Sequence, residues 1–255
     1  MGNGGSTEGT GVGPVTGFGS VILNGVNYDD TGIDSTSFFD GHGRTKAELK
    51  AGMMVKITAT GVNDAAGTGT ATKIEVLRHV DGPLDDNGVT LATNRMKVMG
   101  QAVVVDTTTV FDHVVVGSLI DLAAIDNLAK AGGRPELEIH GIADNTGTIH
   151  ATFIHKWFDD VVTGRDVQVK GIVANDNVAG KRFTLGTSTV SYAIRPAGLA
   201  NDVFVEVKGT FRTTDNTVLA TTVTVEDPAT GQGTGNLVKV EGYVKRIVTA
   251  GAQFE

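Results

Sequence analysis

A short two-strand pattern occurs three times in this chain, and it constrains the fold more than any other feature. An alternating strand runs to a glycine, a polar turn follows, and a second strand carries Ala-Thr-x-Ile/Val. In the first copy Val55, Ile57 and Ala59 alternate up to Gly61, and Ala71-Thr72-Lys73-Ile74 follows the turn. In the second Leu137 and Ile139 lead to Gly141, and Ala151-Thr152-Phe153-Ile154 follows Asp144 to Gly147. In the third Val203, Val205 and Val207 lead to Gly209, and Ala220-Thr221-Thr222-Val223 follows. Gly61 to Ala71 and Gly141 to Ala151 are ten residues apart, and Gly209 to Ala220 eleven. Period-two alternation around an Asn/Asp/Gly turn predicts a β-hairpin, and its recurrence predicts a repeat protein.

Each hairpin is preceded by the same kind of segment. Thr45-Lys46-Ala47-Glu48 is a capping box, and Gly52 closes that short helix. Ser118 is the expected N-cap of a second helix, with Leu119, Leu122, Ala123, Ile125 and Leu128 as its apolar stripe and Gly132-Gly133 as its stop. Arg195-Pro196-Ala197-Gly198-Leu199 is long enough for one turn. Three further strands stand upstream of each helix, and the first contains a glycine: Gly17, Gly82 and Gly171. The order is three strands, a short helix and two strands. Isolated hairpins are marginal in water, so closure into a barrel is the stable solution. The expected class is all-β with short helices, as tandem OB-like five-stranded Greek-key barrels with one short helix between strands three and four.

The expected units are a Gly/Ser/Thr linker at 1–14, barrels at 15–78, 79–158 and 159–227, and a second linker at 228–236. At 237–255 lie the first strands of an incomplete fourth unit, or a strand donated to another sheet. Val238, Val240, Tyr243 and Val244 carry that first-strand pattern and are the expected partner strand.

These residues resemble an uncharacterised family of bacterial exported proteins with repeated OB-like domains. The resemblance lies in Gly19 to Asp29, Leu49 to Ile57, Gly67 to Ala71 and Gly100 to Asp106. It covers most of the chain beyond the N-terminal linker, more loosely in the third unit. It implies an exported, often lipid-tethered protein of the periplasm or cell surface, and it brings no catalytic residues.

Few residues point to chemistry. The chain has no cysteine, so thiol catalysis and disulfides are excluded. Its net charge of −8 disfavours nucleic acid. No apolar run is long enough to span a membrane. His140 and His150 fall on facing strands with His155 and Trp157 beyond; they offer a candidate metal or haem-edge site, but the spacing matches no established motif and they read better as solvent-facing strand histidines. Asp29-Asp30, Asp85 to Gly88, Asp144-Asn145, Asp159-Asp160 and Asn175 to Asn177 offer oxygen ligands but read better as turns. Tyr28, Phe38, Phe39, Phe183 and Tyr192 read as core rather than a stacking platform. No nucleophile elbow, P-loop or dinucleotide fingerprint occurs. The expectation is a non-catalytic scaffold without cofactor that meets other proteins, or copies of itself, through strand edges. A polysaccharide or small-ligand module is the alternative, and a metal or haem accessory protein the third.

Overall fold

A computed structural model describes residues 8–63, 65–112, 121–144, 146–226, 237–240, 247–249 and 253–254. The chain divides into two compact units, Met1–Leu77 with Gly231–Glu255, and Arg78–Thr230.

The first unit holds β1 (Gly9–Gly17), β2 (Val21–Leu23), β3 (Val26–Asp29), β4 (Phe38–Phe39), β5 (Met54–Asn63) and β6 (Thr68–Val76). Pairing runs β1-β2-β3-β6-β5 and returns from β5 to β1, so the sheet closes. The short β4 adds to β6. Val55, Ile57 and Ala59 point inward and Lys56 and Thr58 outward, as the alternation predicts. Leu23, Val26, Tyr28 and Ile74 complete the interior.

The second unit holds two more closed barrels. One comprises β7 (Val80–Thr90), β8 (Arg95–Val98), β9 (Gln101–Val104), the short β10 (Val110–Asp112), β11 (Glu136–Ala143) and β12 (Ile149–Phe158). The other comprises β13 (Asp166–Asn177), β14 (Arg182–Leu185), β15 (Ser188–Tyr192), β16 (Phe204–Arg212) and β17 (Thr217–Val225). Both repeat the cyclic order of the first barrel, with strand three parallel to strand five and strand four returning to strand one.

The segments between strands three and four differ among the barrels. In the first, the Glu48 carboxylate accepts the Thr45 backbone N–H at 2.8 Å and the Thr45 hydroxyl at 3.0 Å, capping one turn of 3-10 helix at Lys46–Glu48. In the second, α1 spans Leu122–Lys130 and buries Leu122 and Ile125. Its N-cap is Asp121, whose carboxylate accepts the Ala124 N–H at 2.7 Å. The expected start at Ser118, with Leu119, lies outside the described residues. In the third no helix forms. There the Arg195 guanidinium donates to Asp176 at 2.9 and 2.5 Å, to Tyr192 at 3.0 Å and to the Leu199 carbonyl at 2.6 Å, tying the turn down with a side chain.

Several expectations change. The segment 9–14, expected as linker, is the first half of β1, in register with β5 from Gly9–Ala59 to Pro14–Met54. Its glycines admit neighbouring side chains: a Cβ on Gly11 would lie 2.9 Å from the Tyr28 hydroxyl, and one on Gly13 2.5 Å from Asn24 Oδ1. The recurring motif glycine also does not end its strand. Gly141 and Gly209 sit at β-bulges inside their hairpins, where a Cβ would overlap the carbonyl of His150 or Leu219.

The two barrels of the second unit do not bury separate interiors, as the repeats alone suggest. One apolar cluster runs from Val80, Leu137 and Ile139 through Val167 and Val169 to Phe183, Val205 and Val207. It is continuous because β7 and β13 pair antiparallel, Asp81 with Gln168 and Val80 with Val169, in one eleven-stranded sheet. The barrels also meet at two hairpin turns. Gly100 and Gly186 both have positive φ, 76° and 56°. A Cβ on Gly186 would overlap the Gly100 carbonyl, and one on Gly100 would lie 2.5 Å from the Thr187 nitrogen.

Candidate interaction surface

The first strand of every barrel is long because it serves two neighbours. Its first half pairs with strand four and its second half with strand two. In β1 these halves are Gly9–Pro14 against β5 and Val15–Gly17 against β2. In β7 they are Val80–Pro83 against β11 and Leu84–Thr90 against β8. In β13 they are Asp166–Ile172 against β16 and Val173–Asn177 against β14. The first half therefore leaves its other edge open, a row of backbone donors and acceptors ready to pair.

Each open half-edge is occupied. Those of β7 and β13 take each other, and the Lys170 N–H donates to the His79 carbonyl at 2.9 Å. The half-edge of β1 takes β18 (Leu237–Val240), parallel, from Gly9–Leu237 to Val12–Val240. Val238 and Val240, expected as a partner strand, thus pair within the first unit. Tyr243 and Val244 lie outside the described residues.

Around the β7–β13 seam runs a row of polar side chains. Register places Asp112, His155, Glu138, Asp81, Gln168 and Lys208 side by side across six strands, on the face opposite Val80, Ile139 and Val169. Asp81, Glu138, His140 and Arg78 are buried. Glu138 Oε1 lies 2.6 Å from His140 Nε2 and 3.3 Å from Arg78 Nε. Opposite charges in contact offset the cost of burying each of them.

The three histidines of the candidate metal site take three different carboxylates, and His140 and His155 are buried rather than solvent-facing. His140 meets Glu138, His150 meets Asp144 at 3.4 Å, and His155 Nδ1 meets Asp112 at 2.9 Å. Among the described residues their ring nitrogens form no common ligand set. His140 packs edge-on to Phe153, and His155 edge-on to Trp157 at 4.5 Å. The Asp144 carboxyl is held down at about 2, chiefly because it accepts the Thr146 hydroxyl hydrogen bond.

Of the acidic segments expected as turns, Asp159-Asp160 is a bend, whereas Asp85 to Gly88 and Asn175 to Asn177 lie inside the long strands β7 and β13, at shifts in the register with β8 and β14; Asn145 lies outside the described residues. Asp29, Asp34, Asp106 and Asp144 each accept the backbone N–H and hydroxyl of the threonine two residues on. Asn87 and Asn175 hold positive φ. Asp85 accepts the Gly100 N–H, and Asp176 pairs with Arg195. Tyr28, Phe38, Phe183 and Tyr192 are buried, while Phe39 is exposed beneath the Lys73 ammonium at 4.6 Å. Two grooves flank the seam of the second unit. One, of about 600 Å³, is lined by Asp85, Asp86, Arg134, Thr187 and Asn216. The other, of about 510 Å³, is lined by His79, Ile172, Phe204 and Asp144. Burial, reinforced by the Lys170 charge, pulls the His79 pKa down to about 4.

A family model described as a domain of unknown function, DUF5666, matches residues 12–75, 81–155 and 177–224. The chain belongs to this family. The first two DUF5666 matches span almost whole barrels, and the third begins near the end of β13. Each DUF5666 match thus falls on one of the three five-stranded barrels, the third on its last four strands. No curated protein and no solved structure gave a match. Among the described residues no helix is long and apolar enough to cross a membrane.

Sequence reasoning did not single out Arg78, Asp81 and Glu138, and it set His79 aside as a strand-end residue. The available signal was parity: Glu136, Glu138 and His140 alternate with Leu137 and Ile139, which places the charges on one outer face.

Proposed function

We propose that this DUF5666 chain is a non-catalytic scaffold of an exported, cell-surface assembly, built from OB-like barrels that join through their first-strand edges. One observation carries the reading. All three open first-strand half-edges are filled by strand pairing, two by each other and one by Leu237–Val240. Main-chain pairing supplies affinity without a deep pocket, the economy of β-augmentation. The family resemblance in Gly19 to Asp29, Leu49 to Ile57, Gly67 to Ala71 and Gly100 to Asp106 supports export and a lipid tether.

Sedimentation velocity over a concentration series tests this. Species larger than one chain should grow with concentration, and a chain that stays monomeric throughout contradicts the proposal. A second reading, a polysaccharide or small-ligand module, has the groove beside Arg134 in its favour, where Asp85, Asp86, Thr187 and Asn216 offer polar groups to hydroxyls. A rise in melting temperature with one sugar of a panel, lost in Arg134→Ala, would favour it over the first.

A further inference from the structure

We propose that Leu237–Val240 is exchanged between copies, so that the β1 half-edge of one chain is filled by this strand of a second chain. The inference rests on the edge-joining reading and names the partner. Three observations lead to it. First, the seat on β1 is the same half-edge that β7 and β13 use on each other, so strand one pairing with strand one already occurs in this protein. The segment around Val238 carries the first-strand pattern, and any second copy of the chain brings it. Second, the seat is four residues long and parallel, whereas β5 on the other side of β1 pairs antiparallel over six. Parallel pairing is slightly weaker per residue, so β18 is the neighbour that leaves first. Third, the connection reads Asp-Pro-Ala-Thr-Gly-Gln-Gly-Thr-Gly-Asn over 227–236, with no large apolar side chain to commit the strand to one seat. Swapping an identical element preserves every contact of the seat and adds only the choice of chain.

Because the chain has no cysteine, disulfide trapping reads the seat directly. Val12 and Val240 face each other in the register, at a separation that parallel strands can bridge. Full-length Val12→Cys and Val240→Cys chains are refolded together from urea and oxidised. A reducible mixed dimer of the two variants is expected, and the chain carrying both substitutions should give a ladder of linked oligomers. Adding Val238→Pro and Lys239→Pro should abolish both. Adjacent strand residues point their N–H groups to opposite sides, so one of the pair must face β1. If the doubly substituted chain closes only on itself while sedimentation still shows oligomers, exchange is overturned and the edge-joining reading survives. If no disulfide forms in any variant, the register is wrong and exchange is overturned. A self-closed chain that is also monomeric at every concentration overturns both.

Discussion

Replacing Gly186 by alanine should weaken the whole second unit, including a barrel to which Gly186 does not belong. Gly186 turns between β14 and β15 at φ 56°, against the Gly100 carbonyl of the neighbouring barrel. An alanine there incurs a left-handed backbone strain of about 1 kcal/mol. It also forces the two hairpin turns apart, an overpacking cost of about 1–3 kcal/mol. Gly164 provides the control, with φ 91° and no atom within 4 Å of the place an added Cβ would take; Gly164→Ala should cost about 1 kcal/mol from strain alone. The reporter is Trp157, the single tryptophan, on β12 of the other barrel. Its fluorescence should follow one urea or thermal transition for the unit. For a unit spanning Arg78–Thr230, the Gly186→Ala transition should fall by roughly 5–15 °C. A Trp157 transition unmoved by Gly186→Ala, or moved no more than by Gly164→Ala, would refute the shared core and the argument from the turn contact.

Other outcomes follow from single groups. His79 has its folded pKa lowered to about 4 from 6.5, so the unfolded chain binds the extra proton between those values. Stability contributed by neutral His79 is therefore full above about pH 6.5 and is lost as pH falls through 4, by about 1–3 kcal/mol; urea midpoints of His79→Gln should show a flatter slope over this window. Asp121→Ala removes the N-cap of α1 and should cost about 1 kcal/mol, with Asp121→Ser recovering most of it in the same titration. Glu138→Leu leaves Arg78 and His140 buried beside an apolar chain and should cost about 3–5 kcal/mol. In circular dichroism melts it should exceed the loss from Lys73→Leu, whose partner Glu75 is partly exposed.

The sequence is legible where its contacts are local. Hairpin alternation at Val55, Ile57 and Ala59 and the Thr45–Glu48 capping box depend on residues a few positions apart, and they appear as read. Strand 9–14 was illegible for a physical reason. Its glycines give no apolar alternation, and their purpose is to admit Tyr28 and Asn24 from elsewhere in the chain. The partners of the histidines are illegible for the same reason: Asp112 reaches His155 through a parallel pairing across 43 positions of sequence. The joining of β7 to β13 depends on which edges remain open after closure, and that is a property of the closed barrels rather than of either strand's residues.

The Lys170 amide tests the edge-to-edge claim most directly. It points out of its own barrel to the His79 carbonyl, while its neighbours on β13 alternate toward β16. Native-state hydrogen exchange should find the Lys170 amide protected nearly as well as the core amides of Val205 and Val207. Exchange of Lys170 at the rate of an uncovered edge, with Val205 and Val207 still protected, would show barrels that stand alone.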